Sequence, residues 1–255
     1  MKVTYPAPAE RVSEFVQGIL VIENYQSSNL FELPLFANGT PTLLFQTKKA
    51  QFSKSSNYLT LFGQTVSPDK LFIKDKFTLI AYFLKPYSLP SLFAIVANEL
   101  TDNPVDFNLL SINSGLQDQL LNATSTNKML SLVDDFLSGL AAKSKANQSA
   151  IKYAVEKIIF NTSKDVLVQL QKELCLTERT FQRMFERNIG ISPNQFRRII
   201  QFSKSFQQLN NRHFKKLSDI SSDNNYADQN HYIRSFKEFT NITPTNYLNS
   251  ITTHP

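Results

Sequence analysis

Apolar and polar positions change rhythm twice along these 255 residues. Over the first ~90, short runs rich in β-branched and aromatic residues alternate with turn formers. Val16–Tyr25, Thr42–Thr47, Tyr58–Val66, Lys70–Lys74 and Phe77–Lys85 are such runs, and Asn38-Gly39 and Ser67-Pro68-Asp69 are such turns. This pattern predicts strands, and Lys74-Asp75-Lys76 predicts a hairpin tip between the last two. After Pro90 the apolar spacing becomes i, i+3, i+4. It predicts helices over Leu92–Leu100, near Phe107–Leu121 and over Lys128–Leu140. Ala141–Ser149 is small, polar and weakly patterned, which predicts a boundary between a β-rich domain over 1–145 and a helical one over 150–251.

From Ala150 the helical signals sharpen. Ile151, Val155, Ile158 and Ile159 form one stripe, and Val166–Leu174 is a second, short helix. Cys175-Leu176-Thr177 interrupts it, with Thr177 able to cap a third helix through its hydroxyl. In that helix Phe181, Met184 and Phe185 make an apolar face, opposite Arg179, Gln182, Arg183 and Glu186. Gly190 suits its left-handed end, and Ser192-Pro193 restarts the chain as N-cap and first helical residue, running to about Leu209. The same grammar then returns. Leu217–Ser222 is a short helix, Asn224-Asn225-Tyr226 a turn, and Asp228–Phe239 a helix with Tyr232, Phe236 and Phe239 inward. Thr243-Pro244 starts the last one. Leu170 pairs with Ile220 and Leu176 with Tyr226 at an offset of 50, whereas Arg183 pairs with Arg234 and Pro193 with Pro244 at 51. One extra residue is therefore expected in the second reading helix or its cap. The architecture expected is α+β, a β-rich domain with trailing helices followed by two helix-turn-helix units joined by a long helix.

Charge separates the two parts. Residues 1–150 hold 12 Lys and Arg against 12 Asp and Glu, and residues 151–255 hold 15 against 9. The whole excess of +6 lies in the helical part, which suits a polyanionic partner. The three histidines, His213, His231 and His254, and Cys175, the one cysteine, also lie there. The β-rich part thus lacks the residues for zinc ligation or for Cys-His and Ser-His-Asp catalysis. No catalytic residue, metal or cofactor is expected, and a carboxylate-based activity is the one enzymatic alternative. The single cysteine fits a reducing compartment. Pro6, Pro8, Glu10 and Arg11 lie where a secretory signal would be apolar, and no run is long enough for a membrane span. A cytoplasmic location is expected.

A helix entering the major groove reads base edges with side chains that pair two atoms at once: Arg on guanine, Asn or Gln on adenine. The first unit offers Arg179, Gln182 and Arg183. The second offers Gln229, Asn230 and Arg234, with His231 either in the groove or simply facing solvent. Lys152, Arg187, Arg197, Arg198, Lys204, Arg212, Lys215, Lys216 and Lys237 are candidates for phosphate contact. A connecting helix of about 16 residues spans roughly 24 Å. With the flanking helix widths added, two reading helices could stand ~34 Å apart, one turn of DNA.

LQKELCLTERTFQRMFERNIGISPNQFRR (Leu170–Arg198) and YADQNHYIRSFKEFTNITPTNY (Tyr226–Tyr247) carry a resemblance. Ala150–Ser250 resembles the DNA-binding domain of AraC/XylS-type transcription regulators. The resemblance implies two helix-turn-helix units with each recognition helix in a major groove, and the same six base readers. The chain departs from that family at its turn glycines, replaced by Cys175 and Asn225, and at a small alanine in each first helix, replaced by Gln171 and Ser221. Upstream, LPLFANGTPTLLFQT, LFGQ and IAYFLKPYSLPSLF resemble an uncharacterised sensor-like domain preceding this reader in some bacterial regulators.

The implied partners are double-stranded DNA, a small-molecule effector or protein partner at the amino-terminal domain, a second copy in a homodimer, and RNA polymerase for an activator. A repressor or architectural protein without an effector is the alternative. Phe31, Phe36, Phe45, Phe62, Phe72 and Phe83 are either sheet core or the wall of an effector pocket. Leu130, Val133, Phe136, Leu137 and Leu140 either pack on their own sheet or form a dimer helix.

Overall fold

The computed structural model describes residues 1–26, 30–51, 56–112, 115–144 and 148–252. Eight strands form one antiparallel sheet: β1 (Lys2–Thr4), β2 (Val16–Asn24), β3 (Phe31–Leu35), β4 (Thr42–Gln51), β5 (Ser56–Phe62), β6 (Asp69–Ile73), β7 (Phe77–Leu84) and β8 (Val105–Asp106). The main path is β1-β2-β7-β4-β5-β8. The strand β3 pairs along β6, and β6 joins β4 at Gln51 and Phe72.

Both faces of the central strands are apolar, which is why β7 reads as a nearly unbroken run. Ile80, Tyr82 and Leu84 point to one core, under α1 (Ser88–Phe93), α2 (Leu116–Leu121) and α3 (Thr126–Ala141). Leu79, Ala81 and Phe83 point to the other, which β3 and β6 cover. Within α3, Val133 and Leu137 are buried in the first core, and Leu130, Phe136 and Leu140 pack against it. Its apolar stripe packs on its own sheet.

The expected hairpin at Lys74–Lys76 is not one. Asp75 does turn the chain, with φ at 68°, but β6 pairs with β3 and β4 while β7 pairs with β2 and β4. The turn joins two strands of the one sheet that do not pair with each other. The expected helix over Leu92–Leu100 breaks at Ala94, which adopts φ 55°, and resumes only as a 3-10 turn over Ala97–Leu100. The segment near Phe107–Leu121 divides into a 3-10 turn at Phe107–Leu109 and α2, with residues 113 and 114 outside the described ones. Strands β1, β3 and β8 lie outside the runs read as strands.

The helical part comprises α4 (Ser149–Phe160), α5 (Asp165–Glu173), α6 (Glu178–Asn188), α7 (Pro193–Asn210), α8 (Leu217–Asp223), α9 (Gln229–Thr240) and α10 (Pro244–Thr252). Its core mixes aliphatic with aromatic side chains, Phe181, Phe185, Phe196, Phe202, Tyr232, Phe236 and Phe239 all being buried. That core continues into the β-rich domain, where Ala37 and Tyr87 are buried in it and Phe36 and Val66 pack against it.

Two glycines allow this close seam. Gly39 (φ 77°) sits over Ile200, Phe196 and Ile199 of α7. Gly190 (φ 101°) sits over Ala97 and Thr101, and the Thr101 hydroxyl donates to the Gly190 carbonyl at 2.8 Å. The Gln148 amide also donates to the Tyr87 carbonyl at 2.8 Å. Among the described residues, no helix is long and apolar enough to cross a membrane.

Candidate nucleic-acid interface

Each unit is a short helix, a tight turn and a capped second helix. Between α5 and α6 the turn is made by Cys175 at φ 53°, and between α8 and α9 by Asn225 at φ 60°. The left-handed conformation costs a residue with a Cβ roughly 1–2 kcal/mol, less for Asn. Both turns form without glycine all the same. Hydrogen bonds close them: the Leu176 N–H donates to the Gln171 carbonyl at 2.9 Å, and the Tyr226 N–H to the Ser221 carbonyl at 3.0 Å.

Thr177 caps α6 by accepting from the Thr180 N–H, and Asp228 caps α9 by accepting from the His231 N–H at 2.7 Å. These caps lie 51 apart in sequence and the turn residues 50 apart. The extra residue is therefore Ala227, just before the second cap. It does not enter the helix or the cap, so the register of the reading face is kept.

The helix α6 has three sectors. Phe181 and Phe185 face the core. Thr180, Arg183, Met184, Glu186 and Arg187 border a groove whose other wall is Val96 and Asn98 of the β-rich domain. Arg179, Gln182 and Arg183 are exposed, Arg183 on the border of that same groove, and the Gln182 amide donates to the Glu186 carboxylate at 2.9 Å. On α9, Gln229, Asn230 and Arg234 are exposed while Tyr232, Phe236 and Phe239 are buried. All six base-reading candidates thus project outward from capped, core-anchored helices.

His231 is neither free in solvent nor aimed outward as a charge. It is half-buried, its ring stands edge-on to Tyr226 at 5.3 Å, and Nδ1 accepts from the Ala227 N–H at 3.3 Å. Burial, and then the charge of Arg234, holds its pKa below 6.5. Its neutral form belongs to the folded state. The stability it contributes is present above the ordinary value and lost as pH falls through the depressed one. In an NMR titration the His231 ring protons are expected to move with a midpoint below 6.5. A midpoint above that value would mean Nδ1 is not held as an acceptor.

The phosphate candidates divide sharply. Arg187, Arg212, Lys215, Lys216 and Lys237 are exposed. The Asp219 carboxylate accepts from the backbone of Lys215 at 3.1 Å and Lys216 at 2.8 Å, so it lies below the usual carboxylate range and fixes both lysines at the start of α8. Arg198 is half-buried, paired with Glu238 and stacked over Phe239 at 5.8 Å. Lys204 is half-buried and donates to the Phe160 carbonyl at the end of α4. Lys152 faces Glu14 of the β-rich domain at 3.9 Å.

Arg197 corrects the sequence reading. It is only 4% exposed, and its guanidinium donates to the Thr162 carbonyl at 2.7 Å, to Asn194 and to Gln201. The Gln201 amide in turn donates to the Asn224 and Asn225 carbonyls, and the Asn225 amide to the Thr162 hydroxyl at 3.1 Å. Arg197 therefore braces the turn of the second unit against the loop after α4. A buried guanidinium with these partners cannot reach a phosphate.

One cation was missed. Lys164 is exposed at the start of α5, and its charge adds, after burial and Arg234, to the lowering of the His231 pKa. It stands 67 residues from His231 in sequence, so no local pattern could relate the two. Among the described residues, no group of three or more His, Cys, Asp or Glu could hold a metal ion.

Two capped helices with outward guanidinium and amide groups, behind a β-rich domain, define a reader of duplex DNA. The comparisons agree. Residues 170–250 match the helix-turn-helix domain family, and residues 5–106 match a domain of unknown function (DUF6597). The carboxyl-terminal part is thus a helix-turn-helix domain. A comparison with curated proteins finds no match.

Among solved structures the chain is similar to ToxT from Vibrio cholerae. One crystal form, solved at 1.65 Å, gives a TM-score of 0.52 at 13% identity over 90% of this chain and 98% of that one. The apo form of a ToxT variant gives 0.51 at 14% identity over 91% and 97%. At this identity the likeness is one of fold, and it extends across both domains.

Proposed function

We propose that one chain reads two successive major grooves, α6 with Arg179, Gln182 and Arg183 and α9 with Gln229, Asn230 and Arg234. The observation that carries this is the outward exposure of all six on helices whose opposite faces are buried. The 18 residues of α7 span roughly 27 Å at ~1.5 Å per residue, which suits a separation near one DNA turn. Arg187, Arg212, Lys215, Lys216 and Lys237 supply exposed charge for phosphates, and Lys164 joins them. The amino-terminal domain senses a small-molecule effector, and regulation reaches the reader across the seam at Gly39 and Gly190. The chain acts on cytoplasmic DNA. A homodimer would need a surface other than the apolar face of α3, which is spent inside the domain.

Selection of bound fragments from random duplex DNA tests the reading. Two short conserved blocks with centres 10–10.5 base pairs apart are expected. Affinity should fall steeply with salt, the logarithmic slope reflecting the phosphates neutralised. Selection that returns one block, or none, would rule out two grooves read by one chain.

A further inference from the structure

Between the outer sheet face and α7 lies a cavity of about 260 Å³. Its walls come from both domains: Leu33, Phe36 and Phe83 on the sheet side, Phe202, Ser203 and Phe206 on the helix side. Of the aromatic residues considered as pocket wall, Phe36, Phe62 and Phe83 line it, whereas Phe45 is buried in the opposite core. Its polar lining is limited to hydroxyls and one amide, from Asn38, Thr42, Thr65 and Ser203, and no lining residue is charged. An ion entering this space would lose its hydration and gain no counter-charge. The volume lies below the ~300–1,000 Å³ of sites for drug-sized molecules, so the occupant is smaller than these.

The helix-side wall is also the floor of the second reading unit. Phe206 meets Phe36 at 5.5 Å on the cavity side, and Phe236 of α9 at 5.9 Å and Tyr247 of α10 at 5.1 Å on the other. Phe202 meets Phe236 at 5.7 Å and Phe239 at 5.0 Å. A close-packed aromatic cluster cannot shift one ring without shifting its neighbours.

We propose that this cavity binds a small, uncharged, apolar molecule, and that its occupation changes the seat of α9 through Phe202 and Phe206. The binding half stands on the cavity alone. The control half rests on the reading of the chain as a DNA-binding regulator. The ligand acts only so far as it binds one arrangement of those rings better than another.

The test uses the full chain and the neutral fluorophore N-phenyl-1-naphthylamine. One saturable site is expected. Ser203→Leu and Ala81→Leu, which fill the cavity from the helix and the sheet, should each weaken the probe at least tenfold while the chain still melts cooperatively. 1-Octanol should displace it and octanoate should not. Saturating probe should change the affinity for a selected duplex at least threefold in the parent chain and leave the Ser203→Leu variant unaffected.

Absence of a saturable site, undiminished binding in Ser203→Leu, or equal displacement by octanoate would overturn the binding half. Occupation that leaves duplex affinity unchanged would overturn the control half. A parent chain that binds the probe but no selected duplex would instead overturn the regulator reading and leave the cavity site standing.

Discussion

Gly190→Ala is expected to lower the melting temperature by on the order of 10 °C. Gly190 holds φ 101°, outside the range comfortable for residues with a Cβ. A Cβ there would stand 2.7 Å from the Thr101 hydroxyl and 2.8 Å from the Ala97 backbone carbonyl. Backbone strain of about 1–3 kcal/mol and overpacking of about 1–3 kcal/mol together give a loss of ~2–6 kcal/mol. In a chain of this size each kcal/mol moves the midpoint roughly 2–4 °C. Thr101→Ala alone removes one hydrogen bond and should cost only about 1 kcal/mol. Combined with Gly190→Ala it should not restore stability, because the Ala97 carbonyl belongs to the backbone and cannot turn away. Calorimetry on the three variants decides the matter. A Gly190→Ala chain melting with the parent would mean the β-rich domain does not rest on the end of α6 in solution.

This seam was invisible in the sequence, and the reason is physical. Gly190 reads as a helix terminator, which it is, since α6 ends at Asn188. Nothing local says that a second domain presses on the same residue. The helical units were legible because their signals are local: apolar stripes at helical spacing, and caps at Thr177 and Ser192 that both accept the expected backbone N–H. The duplicated turns survive the loss of glycine at Cys175 and Asn225, so the repeat was a better guide than either turn residue alone. Strand pairing is non-local, and there local signals failed. Lys74-Asp75-Lys76 has the composition of a hairpin tip, yet the strands it joins find partners elsewhere. Arg197 failed for the same reason. Its neighbours in sequence resemble a solvated helix face, and the Thr162 carbonyl that buries it comes from a loop 35 residues upstream. In α7 the phenylalanines and isoleucines occupy more than one stripe, a sign that this helix packs on two sides, and the cavity lies along the second.

Arg183→Ala and Arg234→Ala should each weaken binding by about 1–3 kcal/mol at one or two base pairs, roughly 5- to 150-fold, and relax sequence preference there. Both arginines are exposed, so the melting temperature should barely change. The positions affected distinguish the two helices: Arg183 should alter one conserved block and Arg234 the other. Lys237→Ala is the control for charge alone. It should weaken all sequences alike and reduce the salt slope by about 1. Gln182 is held by Glu186 within α6, so Gln182→Ala should cost less than Arg183→Ala unless that pair opens in the groove. Repeated selection with each variant gives the result directly. If Arg183→Ala and Arg234→Ala both bound every sequence as the parent does, the exposed faces of α6 and α9 would not be the reading surfaces, whatever else grips the duplex.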